Sequence, residues 1–364
     1  MTRFSPFQRG AYGVRFAFSL IASASLFTLS NISAHAQSET PVPKPSGIFA
    51  KGPLPVRDYE PMNTLFLLPI PTDASVLDKG KKRFDFNIDD SNTLLVYPDK
   101  GYYIDLEEQR FTFGYAVGLG KGQELGVRLP YVMRNGGIFD HFLDAWHKTF
   151  NLMRTSPRRF LPYNRTILQI KDAQGGEIIN ETGSHSGLGD MVLEYRYALT
   201  PETDGSRLTD RRGFSATARA LVKLPTGDDK HLLGSGNLDF GVGLAITARP
   251  WQRVVLHGNL STVFVGDPRN KAIHEKPSQV HSMVGLEWLI DGRTSFVWQV
   301  DDNPAPHDSG IKYLDRARRE FSYGFWRVVN DKTTLYLSMS ENDFGLISQH
   351  GPDTIFSTGI RVSY

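Results

Sequence analysis

The sequence of 364 residues contains no cysteine. This absence excludes disulfides, thiolate metal sites and catalysis by a cysteine nucleophile. The chain also lacks an excess of charge of one sign, because 41 lysines and arginines stand against 39 aspartates and glutamates. A protein that binds nucleic acid usually carries a clear surplus of positive charge. We therefore expect no nucleic-acid partner.

Acidic residues are absent from the first 38 positions, where a short apolar stretch at 16–30 is followed by the small residues Ala34 and Ala36. Three arginines precede that stretch: Arg3, Arg9 and Arg15. This arrangement predicts a secretory signal peptide over residues 1–36, cleaved after Ala36. An uncleaved anchor is the alternative, but the apolar stretch is short for a membrane helix. Cleavage leaves 38 basic and 39 acidic residues, a balance of −1.

Most of the chain beyond residue 80 consists of segments in which apolar and polar residues alternate. Such alternation places successive side chains on opposite faces of a β-strand. Thirteen candidate strands lie near residues 84–97, 109–119, 123–133, 163–171, 187–199, 213–225, 237–249, 252–265, 278–290, 293–302, 319–329, 332–342 and 354–364. Many run to about 10–13 residues, roughly twice the usual length in soluble sheets.

Tight turns such as Gly120-Lys121-Gly122 and Asp291-Gly292 alternate with long polar links such as 266–277. Short turns on one rim and long loops on the other are typical of a membrane barrel. The sequence therefore predicts an all-β fold, an antiparallel transmembrane β-barrel in the outer membrane. Because such barrels have even strand numbers, either Glu177–Glu181 adds a fourteenth strand or 84–97 is not a wall strand. The second alternative, with about twelve strands, is favoured.

One face of these strands is apolar and aromatic, and the other carries charges of both signs at mid-strand. We predict that these charged residues line the lumen: Arg110, Glu124, Arg128, Glu194, Arg196, Arg219, Lys223 and Glu287. Since buried charges must pair or stay hydrated, they form either a dry network or a water-filled path. The last strand ends on an aromatic residue, which is typical of the segment that the barrel-assembly machinery recognises: Phe356, Ile360, Val362 and Tyr364.

Residues 37–61 are rich in proline and predict a flexible periplasmic segment ahead of a barrel over 62–364. Within the barrel chain, Asn63–Ile70 is either a plug element or a first strand. An insertion at 134–162 contains apolar residues at helical spacing, which predicts one amphipathic helix near 136–152. Its apolar face is expected to pack in the lumen, on the rim or at the membrane interface.

The helix also carries a polar stripe of Asp140, Asp144 and His147. Two carboxylates and an imidazole suit a metal such as zinc, but a polar stripe that bonds to barrel arginines is the favoured interpretation. We accordingly predict no metal and no other cofactor.

Several motifs resemble known families. Gly136-Gly137-Ile138-Phe139-Asp140 with Trp146-His147 resembles a proteobacterial family of uncharacterised outer-membrane-like proteins. Two further blocks are similar to the barrels of meta-pathway phenol degradation: Gly187-Leu188-Gly189-Asp190 and Leu224-Pro225-Thr226-Gly227-Asp228. The resemblance covers about residues 60–364. It implies a barrel in the outer membrane and brings no established activity or ligand.

The sequence thus favours a passive channel for small compounds, aromatic or weakly acidic ones among them, and no enzyme. A non-conducting structural or ligand-binding barrel is the main alternative, distinguished by a dry, fully paired lumen. An acidic cluster near Asp301 and His307 leaves an outer-membrane enzyme as a minor alternative. The expected partners are the lipid bilayer, lipopolysaccharide and the barrel-assembly machinery.

Overall fold

The computed structural model describes residues 50–97, 99, 101–150, 162–171, 176–200, 213–270, 273–312, 314–342, 351–352 and 354–364. Within them β-strands are the main secondary structure, and helix is scarce. The strands β1 to β17 are Lys82–Tyr97, Tyr102–Gly120, Gln123–Asn135, Ile167–Lys171, Glu177–Thr182, His185–Leu188, Met191–Ala198, Phe214–Leu224, Asp239–Trp251, Val254–Phe264, His274–Glu275, Ser278–Leu289, Thr294–Asn303, His307–Asp308, Arg318–Val328, Thr333–Asn342 and Thr354–Ser363. The helices are a 3-10 turn at Asn63–Leu65 and α1 at Asp140–Phe150.

Twelve of these strands form one closed antiparallel wall in the order β1, β2, β3, β7, β8, β9, β10, β12, β13, β15, β16 and β17. The wall closes because β17 pairs with β1, from Arg83 opposite Ser363 to Asn92 opposite Thr354. The predicted all-β, antiparallel barrel of about twelve strands is confirmed. Closure leaves the wall without an open edge, so every strand finds hydrogen-bonding partners on both sides.

The reason given for twelve strands was wrong. The segment near 84–97 is a wall strand, since β1 pairs along its whole length with β2. The surplus candidate is instead the one near 163–171, which contains β4. Together with β5, β4 forms a hairpin that joins the wall only at Tyr102–Asp105 of β2. Alternation marks β4 as a strand, but it carries no information about which strand is its neighbour.

The barrel has two unlike rims. We call the end that carries the C-terminal Tyr364 and the tight turn Gly120–Gly122 the turn rim. At that turn Gly120, Lys121 and Gly122 all have positive φ (90°, 53° and 70°), which two glycines out of three make possible. We call the opposite end the loop rim, because longer links such as 225–238 and 304–317 connect the strands there.

The two faces of the wall differ as the alternation predicts. On β12, Val280 and Val284 point outward and are 58% and 66% exposed, whereas Gln279, His281 and Glu287 point inward and are buried. The same contrast recurs on β10, where Leu260 is exposed and Ser261 is buried. A closed wall with a continuous apolar outer face contacts lipid.

Residues 51–78, which we call the plug, lie inside this wall. From Gly52 to Leu68 nearly every residue is buried. The expectation of a flexible periplasmic segment is therefore wrong for residues 50–61, whereas 37–49 lie outside the described residues. Low apolar content is compatible with burial here because the surroundings are polar. Asn63–Ile70, for which a plug element and a first strand were both open, belongs to the plug.

Helix α1 packs on the outside of the wall at the loop rim. The rings of Phe139 and Phe142 approach Phe356 of β17, with centroids 5.5 and 6.0 Å apart. Just before the helix, the Glu107 carboxylate accepts hydrogen bonds from the backbone N–H groups of Ile138 and Phe139. Among the residues that the structure describes, no helix has the length and apolar character needed to cross a membrane.

The outer face makes a direct prediction for stability. Replacing Val284→Arg places a charge at mid-strand against lipid, which should lower the free energy of unfolding from lipid vesicles by about 2–4 kcal/mol. Val284→Leu is the matched control and should change it by about 0.5 kcal/mol or less. Equal stability of the two variants would show that this face does not contact the bilayer.

Candidate functional site

The plug enters the lumen from the turn rim along β12 and β13. The backbone N–H groups of Lys51 and Gly52 donate to the Glu287 carboxylate at 2.8 and 3.1 Å. Farther up, Leu54 N–H donates to Gln299 Oε1 at 2.9 Å, and Gln299 Nε2 donates back to the Leu54 carbonyl at 3.2 Å. Inward side chains of the wall thus take the hydrogen-bonding role that a neighbouring strand would otherwise have.

The plug turns back near the loop rim. Arg318 Nη1 lies 3.7 Å from Asp58 Oδ2 and 3.8 Å from Glu60 Oε2. Glu60 also accepts hydrogen bonds from the backbone N–H groups of Met62 and Asn63 at 2.9 Å each, which caps the 3-10 turn. Burial raises the pKa of Glu60, and Arg318 beside it offsets this only in part.

The tip of the plug carries its apolar anchor. Met62, Leu65 and Phe66 are each about 1% exposed. They pack into a cluster, the tip cluster, with residues of β1, β2, β4, β5 and the loops: Leu95, Tyr102, Ile104, Leu106, Leu168, Ile170, Ile179, Leu232, Ile273 and Leu314. The hairpin of β4 and β5 therefore covers the plug tip rather than lengthening the wall.

The plug then descends along β8, β9 and β10 toward the turn rim. Leu67 N–H donates to Asp239 at 2.7 Å, and Thr72 exchanges two hydrogen bonds with the Asn259 side chain, at 3.0 and 2.9 Å. Below them, Ala74 N–H donates to Thr247 Oγ1 at 3.0 Å. Leu77 N–H donates to Glu124 at 2.9 Å, close to the start of β1. Both ends of the plug consequently lie at the turn rim.

The eight charged residues predicted to line the lumen all belong to wall strands. Seven of them are buried, and Arg128 is half-buried. Most are paired within the wall: Arg110 with Glu108, Arg128 and Arg219 with Glu194, Arg196 with Glu124, and Lys223 with Asp190 and Asp239. Glu287 instead holds the plug and contacts His257 Nε2 at 3.2 Å. The sequence missed the acidic partners Glu108, Asp190 and Asp239.

These pairs join into a network that crosses several strands. Glu124 contacts both Arg83 and Arg196, at 3.1 and 3.2 Å, and Arg83 contacts Asp85 at 3.0 Å. Asp85 in turn accepts from Arg361 of the last strand at 2.8 Å. A cleft of about 300 Å³, including its open mouth, lies beside this network near the turn rim. It exists because Gly114 and Gly126 present no side chain to the lumen.

Asp190 explains why the two glycine- and aspartate-containing blocks occur together. Its carboxylate accepts from Lys223 Nζ at 2.5 Å, from Gly227 N–H at 2.8 Å and from Ser235 N–H at 3.2 Å. Thr226 adds a second connection, because its hydroxyl donates to the Gly189 carbonyl at 3.1 Å. The blocks thus bind the 225–238 loop to the top of β7. They have a structural role rather than a ligand-binding one.

The other residues singled out from the sequence lie apart from the lumen. Asp140 is buried at the start of α1, where it accepts from Asn92 Nδ2 at 3.0 Å and Asn164 N–H at 2.8 Å. The side chains of Asp144 and His147 lie outside the described residues. Phe356, Ile360 and Val362 share the outer face of β17, and recognition of this strand by the assembly machinery stays a prediction. Tyr364 pairs with Lys82 through two backbone hydrogen bonds, 2.9 and 3.1 Å long.

The acidic cluster at the loop rim does not converge on one point. Asp301 faces the lumen and accepts from Gln299 Nε2 at 3.1 Å. Asp302 is exposed and pairs with Arg319 at 2.9 Å. His307 lies in the short strand β14, where burial lowers its pKa to about 3. Asp301 and Asp302 therefore point to different faces of the wall.

Comparison with solved structures agrees with this architecture. The COG4313 outer membrane channel from Pseudomonas putida F1 matches with a TM-score of 0.51 and 12% identity, over 82% of this chain and 100% of that chain. At this identity the likeness shows the fold alone. The transport unit of the autotransporter AIDA-I from Escherichia coli has a TM-score of 0.42 and 12% identity, over 83% and 95% of the two chains. The NanC porin has a TM-score of 0.41 and 9% identity, over 77% of this chain and 98% of that chain.

A search of the curated proteins finds no match for this chain. A family model, in contrast, covers nearly all of the plug and the barrel, over residues 43–363. The predicted resemblance to an uncharacterised family of outer-membrane-like proteins is confirmed. The chain belongs to the family described as "Protein of unknown function (DUF3187)".

Proposed function

We propose that this protein is an outer-membrane channel for small compounds that is closed while the plug occupies the lumen and conducts when the plug withdraws. The observation that carries the proposal is the occupant itself. Residues 51–78 fill the barrel as an irregular segment that is held mainly by side chains of the wall. A segment without strand pairing of its own can leave without disrupting the wall.

The diameter of the barrel supports a channel that the plug closes. Twelve strands spaced about 4.8 Å apart and tilted by about 40° enclose a barrel of about 12 Å radius at the backbone. Inward side chains narrow the space to a passage roughly 12 Å across, which two passes of a polypeptide chain fill. With the plug withdrawn, that width admits a compound of one or two rings.

The path of the plug supports withdrawal toward one side. Residue 51 lies against Glu287 and Leu77 against Glu124, both near the turn rim. Because both ends of the plug lie at the turn rim, the plug can move out of the lumen there as a loop. No chain terminus then has to pass through the barrel. The hydrogen bonds it gives up are replaced by water, at a net cost of about 0.5–1.5 kcal/mol each.

The charges of the plug favour anionic compounds. The acidic residues Asp58 and Glu60 face Arg318, and Asp73 faces Arg196. The plug carries one further acid, Asp78, and two basic residues, Lys51 and Arg57. Withdrawal therefore removes four acids and two bases, and the net charge inside the wall becomes more positive by 2. Arg110 also lies over the Tyr59 ring of the plug, 5.9 Å from its centroid. A compound with a ring and a carboxylate offers the same two contacts, which supports aromatic and weakly acidic substrates.

A non-conducting barrel is the second candidate, because the plug also makes buried apolar contacts with the wall. Leu54 and Val56 pack against Val297, Trp326 and Tyr336 inside the wall. If these contacts and the tip cluster hold the plug at all times, the protein serves as a scaffold or a binding surface. Its long loops at the loop rim are then the parts that meet a partner such as lipopolysaccharide.

The location is tested by fractionation. We expect the protein in the outer-membrane fraction, processed after Ala36, with the turn rim toward the periplasm. A closed barrel migrates compactly in a gel until it is boiled, so boiled and unboiled samples should differ in mobility. A soluble protein with equal mobility in both samples would contradict the proposed location.

The channel itself is tested in planar lipid bilayers. Deleting residues 51–78 should turn a mostly closed protein into one with steady conductance, since the wall pairs its charges largely without the plug. The deleted protein must first show the compact, unboiled migration of a folded barrel. A folded deletion variant that leaves the bilayer silent would overturn the channel and favour the non-conducting barrel.

A reversible cross-link tests the movement of the plug. The chain has no cysteine, so Ala74→Cys with Thr247→Cys introduces one defined pair, at a contact of 3.0 Å between Ala74 N and Thr247 Oγ1. Oxidation should abolish the openings of the full-length protein, and a reductant should restore them. Each single variant is the control and should not respond. Openings that persist in the oxidised double variant would show that conduction does not require Ala74 of the plug to separate from Thr247 of β9.

A further inference from the structure

Three side chains with metal-binding atoms meet at the loop rim, outside the lumen network. Glu181 comes from the end of β5, His185 from the start of β6 and His231 from the 225–238 loop. One ligand atom from each lies within 4.8 Å of the other two. His185 Nε2 is 3.4 Å from Glu181 Oε2, and His231 Nδ1 is 3.8 Å from the same oxygen.

We propose that these three residues form a binding site for a divalent transition-metal ion of the zinc type. Two imidazoles and one carboxylate are a ligand set that Zn²⁺ prefers, whereas Ca²⁺ and Mg²⁺ take oxygen ligands. Ligand atoms about 2.0–2.1 Å from a tetrahedral Zn²⁺ lie about 3.4 Å apart. The ligand atoms here lie within 4.8 Å of one another, so the spacing needs an adjustment of about 1.4 Å or less, which side-chain rotation supplies. The fourth position is left to water.

The position of the two histidine rings and the lack of a hydrogen-bond partner at His231 Nδ1 support an ion at this place. The rings of His185 and His231 are stacked, with centroids 4.0 Å apart and planes at 17°. A ring nitrogen of each histidine already lies near the same oxygen, Glu181 Oε2. Because the lone pairs lie in the ring planes, the two rings must turn out of this stack to bind one ion. Among the described residues, His231 Nδ1 is shielded from solvent and has no hydrogen-bond partner. A metal ion at that position would satisfy it.

The surroundings indicate what the ion would do. Glu181 lies two residues beyond Ile179, and His231 directly precedes Leu232; both neighbours belong to the tip cluster around the plug. An ion bound here would connect the hairpin of β4 and β5 with the 225–238 loop, directly above that cluster. The site is therefore a clamp on the loops that cover the plug tip. Its existence does not depend on whether the barrel conducts.

Direct binding tests the site. Purified full-length protein, folded in detergent and stripped of metal by a chelator, is titrated with Zn²⁺ in a calorimeter. We expect one ion per chain. His185→Ala and His231→Ala should each weaken binding at least tenfold, and Glu181→Gln should weaken it as well. His274→Ala is the matched control, since His274 is an exposed histidine in β11 on the same rim, and it should bind as the wild type does.

Substitution with Co²⁺ provides a readout that does not depend on stability. A four-coordinate site with two imidazoles gives Co²⁺ visible absorption bands that hydrated Co²⁺ lacks, and we expect them in the wild type and in His274→Ala only. Compact unboiled migration in a gel verifies that every variant is folded. Equal Zn²⁺ affinity of the wild type and the His185 and His231 variants, or no binding by the folded wild type, would overturn the proposal.

Discussion

Charged and polar groups that point into a closed wall must be paired or hydrated, because a lone buried charge costs several kcal/mol. Acidic residues of the wall meet this requirement with arginines of neighbouring strands, as Glu194 does with Arg128 and Arg219. Other inward groups of the wall bind the plug. Glu287 and Gln299 receive backbone N–H groups of residues 51–54. The polar side chains that would line a water-filled lumen are therefore the same ones that bind the plug.

The composition of the plug fits this role. Proline has no N–H group and restricts the backbone, so Pro53, Pro55 and Pro61 reduce both the donors that need a partner and the entropy lost on docking. The same composition is typical of flexible tails, and for that reason residues 50–61 were predicted to be mobile. Composition reports how little a segment can contribute to an apolar core. It does not report whether a polar cavity is present to receive the segment.

The sequence predicts strands well here because alternation is local, whereas pairing is not. Residues 84–97 and 163–171 both alternate, yet only the first pairs along its length with β2 and β17. The inward direction of Arg110 follows from its position in the strand, but its partner Glu108 lies two residues away on the same face. Glu181, His185 and His231 show no motif spacing, because folding alone brings the 225–238 loop to β5 and β6. No pattern in the sequence could have identified that cluster.

The plug is held in two different ways along its length, and in the proposed channel this difference determines where opening is controlled. Its two passes contact the wall through many hydrogen bonds, which water can replace at small net cost, and through two small apolar clusters, around Leu54 and Val56 and around Leu67. Its tip buries Met62, Leu65 and Phe66 against Leu232 and the hairpin of β4 and β5, and each such side chain contributes about 1.5–3 kcal/mol when fully buried. The tip is thus the more strongly bound end, although the proposed withdrawal is toward the opposite rim. A change that loosens or tightens the loops over the tip therefore alters the strongest contacts of the plug without altering the lumen. Loss or binding of the ion at the proposed clamp is such a change.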